Sequence, residues 1–569
     1  SGARSFSESL AVDCARASPY HGIERFVGTC FGATRWGSRE RWRSGGTVSE
    51  KHYDVIIIGR SLGAMALAAL LARRDFSVMV IGQGARPADY VFRDRVLRRR
   101  CFMPLAATSP AFKRILSELA QSQVFRRRLV ALDPMLSVML PDRRFELPPD
   151  LEWLQREIDR EFPEVRRVID DLYHDLTRIN GEADTAFEKD VCWPPETFWE
   201  RRETNAAASS LPFVREDAHA LLGGFPANHP YVDIVVQSAQ IASNLMAGSR
   251  PLPSFAVGRL HGAWSRGPFG LAAGEDDMIS FFQQRVTALG GQVLLSDRVV
   301  SINPNGKDSH ALVLDGGTAV LGATFVVTDG TGESLAHLAQ GKGILRKAQR
   351  DWPMVSERTG RFTVSLLVRR EGLPDALGAE SLVFPRMPGA PPDPQLPVVH
   401  LQRCDRMAEQ PMPDDDGTVL LVAEVLLPMP GVLAVSETRA VIVSILENHL
   451  PFLTPHLLIV DSTHDGLPVW VYDNGKRTTV DRIEARGTAR VAEPMSPVLS
   501  VEPLGYLGLA GEPLRGPLAR SFLTGPSVLP PLGQEGELLA AWGVAKIITG
   551  SDNRRVRMRR DMWSRIEFG

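Results

Sequence analysis

Hydrophobic residues form their first regular pattern between Tyr53 and Gly82. Val55 to Ile58 are an unbroken apolar run, as expected for a parallel strand that is buried on both faces. After a turn of small residues, the segment from Leu62 to Ala72 contains good helix formers and no proline. A second apolar run, Phe76 to Ile81, predicts another strand. The order strand, turn, helix, strand predicts a βαβ unit.

The turn of this unit reads GxSxxA, a variant of the glycine pattern of dinucleotide-binding loops. Gly59 supplies the sharp bend, Ser61 stands at the second glycine position, and Ala64 stands at the third, where the helix packs on the strand. Such a turn directs a helix N-terminus at a pyrophosphate. An α/β core with a tight turn and no nucleotide is the alternative interpretation.

The end of the second strand lacks the carboxylate that commonly binds a ribose. An Asp or Glu is expected about 20 residues after the turn, whereas the chain has Gly82 followed by Gln83. Gln83 can accept a hydroxyl hydrogen bond through its amide oxygen, but without the charge assistance of a carboxylate. This departure argues against a simple nicotinamide or flavin site.

Two further segments carry compact patterns. From Met278 an amphipathic helix runs to a Gly290–Gly291 stop, and later an apolar strand, Phe325 to Thr328, ends at Asp329 and Gly330. Near the C-terminus a short strand ends at Gly525, and a proline-containing loop leads through Gly533 into a helix that we predict to be amphipathic. Glu535 and Glu537 suit the positive end of that helix, and its first backbone amides are free to face a ligand oxygen.

Composition places the chain among soluble globular enzymes. It has 569 residues, of which 44% are hydrophobic and 23% are charged, and its net charge is −2. The length predicts two domains, and the near-neutral charge predicts no nucleic-acid partner. Five scattered cysteines show neither disulfide nor metal-ligand spacing, so we predict no metal site and a cytoplasmic location. No apolar run approaches the ~20 residues that span a bilayer, so membrane contact is expected to be peripheral at most.

Both ends of the chain differ from the rest. Residues 1–47 show no sustained period and are interpreted as a non-native or disordered extension, with the natural start near Val48; a transit peptide is disfavoured by four acidic residues. Residues 553–569 are interpreted as a basic C-terminal tail.

Residues 53–82, 270–330 and 520–550 together resemble the phytoene-desaturase-like FAD oxidoreductases of the amine-oxidase superfamily. The resemblance implies an α/β fold with a Rossmann-like FAD-binding domain interleaved with an α+β substrate domain. The FAD-binding domain would comprise 48–86, 266–358 and 501–552, and the substrate domain 87–265 and 359–500.

The same resemblance implies positions for the cofactor. FAD lies extended in that family, with its pyrophosphate on the first turn, which corresponds here to Gly59, Ser61, Gly63 and Ala64. Val299 and Ile302 match the V-x-x-I strand that bonds the adenine through its backbone, and Gln83 stands near the ribose. Further matches are the strand end and the C-terminal loop beside the flavin's pyrimidine edge, namely Asp329, Gly330, Gly525, Leu532, Gly533 and Glu535.

The implied function is hydride transfer between flavin and an apolar small molecule such as an isoprenoid. The helix dipole near Glu535 would stabilise charge on the reduced ring. No catalytic acid or base can be nominated; Trp193, Trp199 and Trp264 are candidates to line an apolar channel, with core packing as the alternative. A second hypothesis is a non-catalytic binding protein of the GDP-dissociation-inhibitor type, for which loss of the ribose acid is expected. A third, an NAD(P)-linked dehydrogenase, leaves the C-terminal helix unexplained.

Overall fold

The computed structural model describes residues 51–551 except 215–219, 247–250, 307, 317–319, 388, 391–392, 408–416 and 490. The described residues fall within one compact unit. The predictions for residues 1–47 and 553–569 lie outside the described residues.

The described part of the chain is rich in short strands. In chain order these are β1 (Lys51–Ile58), β2 (Val78–Ile81), β3 (Asp89–Phe92), β4 (Arg95–Arg98), β5 (Val130–Ala131), β6 (Leu136–Met139), β7 (Arg144–Leu147), β8 (Phe269–Gly270), β9 (Gln292–Leu294), β10 (Val299–Asn305), β11 (Ser309–Leu314), β12 (Val320–Thr328), β13 (Met354–Arg369), β14 (Glu380–Val383), β15 (Val399–Arg403), β16 (Thr418–Pro428), β17 (Leu457–Asp461), β18 (Val469–Asp473), β19 (Lys476–Val480), β20 (Ala485–Arg486), β21 (Ser496–Glu502) and β22 (Ser521–Leu523).

Helices connect and cover these strands. They are α1 (Leu62–Arg73), α2 (Pro110–Glu118), α3 (Ser122–Arg126), α4 (Leu151–Glu161), α5 (Arg166–Phe187), α6 (Phe198–Ala207), α7 (Pro230–Ala242), α8 (Ser254–Ser265), α9 (Glu275–Ala288), α10 (Gly332–Leu338), α11 (Arg346–Arg350), α12 (Val435–His449), α13 (Leu453–His456) and α14 (Gly533–Ser551).

A seven-stranded sheet holds the N-terminal βαβ unit at its centre. Its order is β10-β11-β12-β1-β2-β9, with β22 also paired to β12. Strand β1 is parallel to both β2 and β12, with Ile58 opposite Ile81 on one side and Thr328 on the other. The apolar run Val55 to Ile58 is buried because the strand is central and α1 covers it. The carboxyl ends of β1, β2 and β12 therefore meet at one edge of the sheet, where ligands bind in open α/β sheets.

A ten-stranded sheet forms the second layer. Its order is β19-β18-β17-β13-β16-β15-β14-β6-β7, with β21 paired to β13, and most of its pairs are antiparallel. Its strands come from residues 136–147 and 354–502, whereas those of the first sheet come from 51–81, 292–328 and 521–523. The predicted α/β class is thus confirmed at the level of mixed parallel and antiparallel sheets, while the interleaved domain boundaries stay a prediction.

One predicted element has a different character in the structure. The C-terminal helix α14 was expected to be amphipathic, but its residues from Glu535 to Ala545 are buried all round. The helix packs against α1, α2 and β22, so it is a core helix that is mostly apolar and also buries Glu535 and Glu537.

Candidate functional site

The turn between β1 and α1 has the backbone shape that its sequence predicts. Gly59 has φ of 120°, a conformation that favours glycine, and its amide donates to the carbonyl of Ile81 at 2.8 Å. Ser61 is the N-cap of α1, because its Oγ accepts a hydrogen bond from the amide of Ala64 at 3.2 Å. The N-terminus of α1 therefore points into the edge where the parallel strands end.

The carboxylate of Asp329 lies directly on this turn. Its Oδ2 accepts a hydrogen bond from the Ser61 amide at 2.6 Å. A Cβ added to Gly59 would lie only 1.7 Å from its Oδ1, so the glycine is required by this contact. Asp329 follows the last residue of β12, and the pairing of Ile58 with Thr328 brings it beside the turn. Burial raises the pKa of Asp329, opposed by hydrogen bonds from Ser61 and Arg60.

A second carboxylate, that of Glu537, reaches the first turn of α1 from the first turns of α14. Its Oε2 accepts a hydrogen bond from the Gly63 amide at 3.2 Å, and its Oε1 accepts one from Asn244 Nδ2 at 3.3 Å. Glu537 is 8% exposed. Burial raises its pKa to about 7; the charge on Asp329 adds to this rise, while the hydrogen bond from Gly63 opposes it.

Gln83, at the end of β2, pairs with the strand that was predicted to hold an adenine. The Val299 amide donates to Gln83 Oε1 at 2.6 Å, and Gln83 Nε2 donates to the Val299 carbonyl at 3.3 Å. Gln83 has φ of 55°. A Cβ on the preceding Gly82 would lie 2.4 Å from the Leu295 carbonyl oxygen, so a ribose-binding acid at this position would clash with the backbone.

Glu535 belongs to a buried ion cluster. Arg259 on α8 donates to it through Nε and Nη2, each at 2.7 Å, and Ser109 Oγ donates at 2.6 Å. Arg259 is 1% exposed and also pairs with Asp184 at 2.6 Å. Burial, the largest single effect, disfavours the charged form of Glu535, but the attraction and hydrogen bonds of Arg259, with Arg266 and Ser109, together outweigh it, so the pKa of Glu535 is lowered. The carboxylate is thus held by the chain itself.

The remaining predicted positions pack closely against neighbouring backbone at this edge of the sheet. A Cβ on Gly525 would lie 1.7 Å from the Asp329 carbonyl oxygen, and one on Gly533, whose φ is 53°, would lie 2.1 Å from the Ala242 carbonyl oxygen. Leu532 is buried, and the Gly330 amide donates to Thr328 Oγ1 at 3.0 Å. The structure therefore brings together the strand ends, the α1 turn and the start of α14.

A cavity of about 290 Å³ lies between this edge and the ten-stranded sheet. Its walls mix apolar side chains with ionisable ones, including Arg266, Glu275, Glu424 and Glu537. Arg361 Nη1 donates to Glu424 Oε1 at 2.8 Å across neighbouring strands. Apolar atoms still contribute the larger part of this lining, with charged groups among them, and the mostly apolar channel stays a prediction.

None of the three tryptophans proposed for that channel lines the cavity. Trp193 and Trp264 are buried in the core, and Trp199 is 65% exposed. Core packing, the alternative interpretation, therefore holds for Trp193 and Trp264.

Sequence reasoning missed the side chains that organise the site from other elements, namely Ser109, Asn244, Arg259 and Arg361. One of them carries a signal in the sequence. Arg259 is a single charge within the otherwise apolar and small segment Ser254–Ser265, and a charged residue in such a helix requires a buried partner. The partner itself, 276 residues away, cannot be identified from local pattern.

Comparison with solved structures finds proteins of similar fold. An oxidoreductase from Methanosarcina mazei superposes with a TM-score of 0.53 at 13% identity, covering 86% of this chain and 99% of that one. A Rab GDI from Plasmodium falciparum (TM-score 0.48, 9% identity, 87% and 98% coverage) and a cyclohexylamine oxidase from Brevibacterium oxydans (0.47, 14%, 87% and 98%) are also similar. No known protein family matches the chain, and no curated protein does. The similarity to the protein from Methanosarcina mazei shows the fold of this chain.

The described residues do not fit a bound FAD. All four amides proposed for the pyrophosphate turn have partners within the chain, because Gly59, Ser61, Gly63 and Ala64 donate to Ile81, Asp329, Glu537 and Ser61 respectively. The Val299 backbone, proposed for the adenine, is paired with Gln83. The carboxylates of Asp329 and Glu537 and the amide side chain of Gln83 thus fill the groove formed by the β1–α1 turn and the Val299 backbone.

Other classes of site are not found among the described residues. Across residues 51–551, apart from the gaps given above, no three or more His, Cys, Asp or Glu side chains are grouped so that they could hold a metal ion. Of the described helices, none combines the length and apolar character that crossing a membrane requires.

Proposed function

We propose that this chain is a binding protein on an oxidoreductase fold and that it works without FAD, with the cavity of about 290 Å³ as its ligand site. The observation that carries the proposal is the Asp329 carboxylate, which accepts from the Ser61 amide at 2.6 Å. This is the amide that a pyrophosphate would use.

Electrostatics makes this carboxylate an effective barrier. A phosphate oxygen about 4 Å from Asp329 would be repelled by about 4 kcal/mol at an effective dielectric constant of ~20. That energy is equivalent to roughly three powers of ten in affinity. Glu537 places a second acidic group on the Gly63 amide, and its pKa is raised to about 7, so above pH 7 two charges oppose an anionic ligand.

The volume of the cavity and the charged groups in its wall favour a small ligand that carries polar groups over a long apolar chain. Volumes of roughly 300–1,000 Å³ are typical of small-molecule pockets, and 290 Å³ is at the lower limit. Ion pairs such as Arg361–Glu424 and Arg259–Glu535 form part of the wall. An apolar ligand would offer no hydrogen-bond partner to the donors and acceptors that these pairs leave unused, which costs free energy.

A second candidate is an FAD-dependent oxidoreductase of the phytoene-desaturase-like type that transfers hydride to or from an apolar, isoprenoid-like substrate. The observation that favours it is the fold similarity to the oxidoreductase from Methanosarcina mazei, which spans 99% of that chain. For this candidate the three groove-filling side chains would have to move away when FAD binds.

Flavin content separates the two candidates. The full chain is purified, denatured and assayed for released flavin, and a second sample is dialysed against FAD. We expect no flavin in either sample, whereas a reference flavoprotein stripped of FAD takes it up under the same conditions. Stoichiometric flavin in the purified protein, or its uptake on dialysis, would contradict the proposed function and favour the second candidate.

A further inference from the structure

We infer that Gln83, Asp329 and Glu537 form an internal surrogate for a dinucleotide: the Gln83 amide replaces the adenine, and the two carboxylates replace the pyrophosphate. The inference deepens the proposed function and rests on it. Three side chains from separate parts of the chain occupy the three backbone positions that the fold offers to such a ligand.

The Gln83 amide matches the hydrogen-bonding edge of an adenine. A glutamine side chain presents one acceptor oxygen beside an NH₂ donor, and adenine presents a ring-nitrogen acceptor beside its exocyclic NH₂ donor. Val299 offers the complementary pair, an N–H that donates to Gln83 Oε1 at 2.6 Å and a C=O that accepts from Nε2 at 3.3 Å. Both backbone groups of Val299 are therefore satisfied without a base.

The two carboxylates match the charge and the acceptors of a pyrophosphate. Asp329 accepts from the Ser61 amide and Glu537 from the Gly63 amide, at the start of a 12-residue helix. A helix N-terminus binds carboxylate and phosphate oxygens by the same amides and the same dipole. The chain thus places its own acceptor oxygens on the amides of this turn.

Local backbone features place each of the three groups. Glycine is required at position 82, because an added Cβ would lie 2.4 Å from the Leu295 carbonyl oxygen. The next residue, Gln83, has φ of 55°, and its side chain binds the Val299 backbone. Asp329 directly follows β12, and Glu537 lies in α14 after the close approach of Gly533 to Ala242. Of the three, Gln83 stands where the chain departs from the dinucleotide-binding pattern, whereas Asp329 stands at a position that matches it.

The test removes the surrogate and measures FAD binding. In the full chain, Gln83→Gly, Asp329→Ala and Glu537→Ala are combined, and FAD affinity is measured by equilibrium dialysis and by the change in melting temperature on adding FAD. We expect the affinity for FAD to be 10- to 1,000-fold above that of the unaltered chain, which corresponds to removing about 1.4–4 kcal/mol of repulsion. Glycine suits the positive φ at residue 83.

A matched control makes the same exchanges at exposed positions. Gln340, whose φ is also positive at 52°, is changed to Gly, and the exposed Asp171 and Glu437 are changed to Ala. This control should leave FAD binding as weak as in the unaltered chain. If it gains binding equally, the surrogate is not the barrier and the inference is overturned.

The outcomes distinguish the inference from the proposed function. A folded triple variant that binds no FAD overturns the inference and leaves the proposed function standing, whereas FAD binding by the unaltered chain contradicts the proposed function itself. If circular dichroism shows that the triple variant is unfolded, the single variant Gln83→Gly is tested with adenosine. Adenosine binding that the unaltered chain lacks supports the inference, and its absence overturns it.

Discussion

The raised pKa of Glu537 predicts that the free energy of unfolding falls as the pH rises. Its pKa of about 7 in the folded protein, against an ordinary value of 4.5, means that the folded state binds a proton more tightly than the unfolded state. Stability is therefore highest below the unfolded-state pKa and falls as pH rises from 4.5 to about 7. The difference of ~2.5 pKa units corresponds to a ceiling of about 3 kcal/mol lost above pH ~7.

Replacing this carboxyl by an amide of the same shape should recover that loss. Glu537→Gln keeps an oxygen that accepts from the Gly63 amide but removes the buried charge. We expect the variant to exceed the unaltered chain in unfolding free energy by up to about 3 kcal/mol near pH 8, and by much less near pH 5. Urea denaturation at both pH values measures the two differences. Glu437→Gln, at an exposed carboxylate, should show no such pH dependence.

The reasoning is refuted if the difference between Glu537→Gln and the unaltered chain is the same at both pH values. It is equally refuted if the variant is the less stable of the two near pH 8. Either result would mean that the carboxylate is favourably ionised at the α1 N-terminus.

Two more substitutions test the contacts of the groove. Arg259→Met leaves Glu535 and Asp184 without their shared cation and should destabilise the fold by about 3–5 kcal/mol, while adding Glu535→Leu should restore part of that loss in the same denaturation assay. Gly59→Ala places a Cβ 1.7 Å from Asp329 Oδ1 and should lower the melting temperature. Because Asp329→Gly removes the clashing carboxylate, it should relieve part of this effect. The two substitutions should therefore be non-additive in a double-mutant cycle. Additive effects would show that Gly59 and Asp329 are not in contact.

The parts of the fold that could be predicted from sequence are those fixed by local pattern. The predicted strand Val55 to Ile58 lies in β1 (Lys51–Ile58), and the predicted helix Leu62 to Ala72 is α1 (Leu62–Arg73). A central strand is apolar on both faces, so β1 is visible as an apolar run. The helix α1 is visible as a run of good helix formers without proline. Such signals need no knowledge of distant residues.

The closure of the groove could not be predicted in this way. Asp329 and Ser61 are 268 residues apart, and Gly63 and Glu537 are 474 apart, so only the folded chain shows that they meet. The sequence did hold a weaker indication, since Gly82 and Gln83 replace the expected acid. Similarly, the periodicity of α14 suggested one apolar face, but contacts with α1 and α2 bury every side.

A crystal structure of the full chain grown with excess FAD tests the central claim most directly. We predict no dinucleotide in the groove, with the Asp329 carboxylate on the Ser61 amide and the Gln83 amide on the Val299 backbone. Electron density for an adenine at Val299 and a pyrophosphate at the α1 turn, with those two side chains displaced, would contradict it.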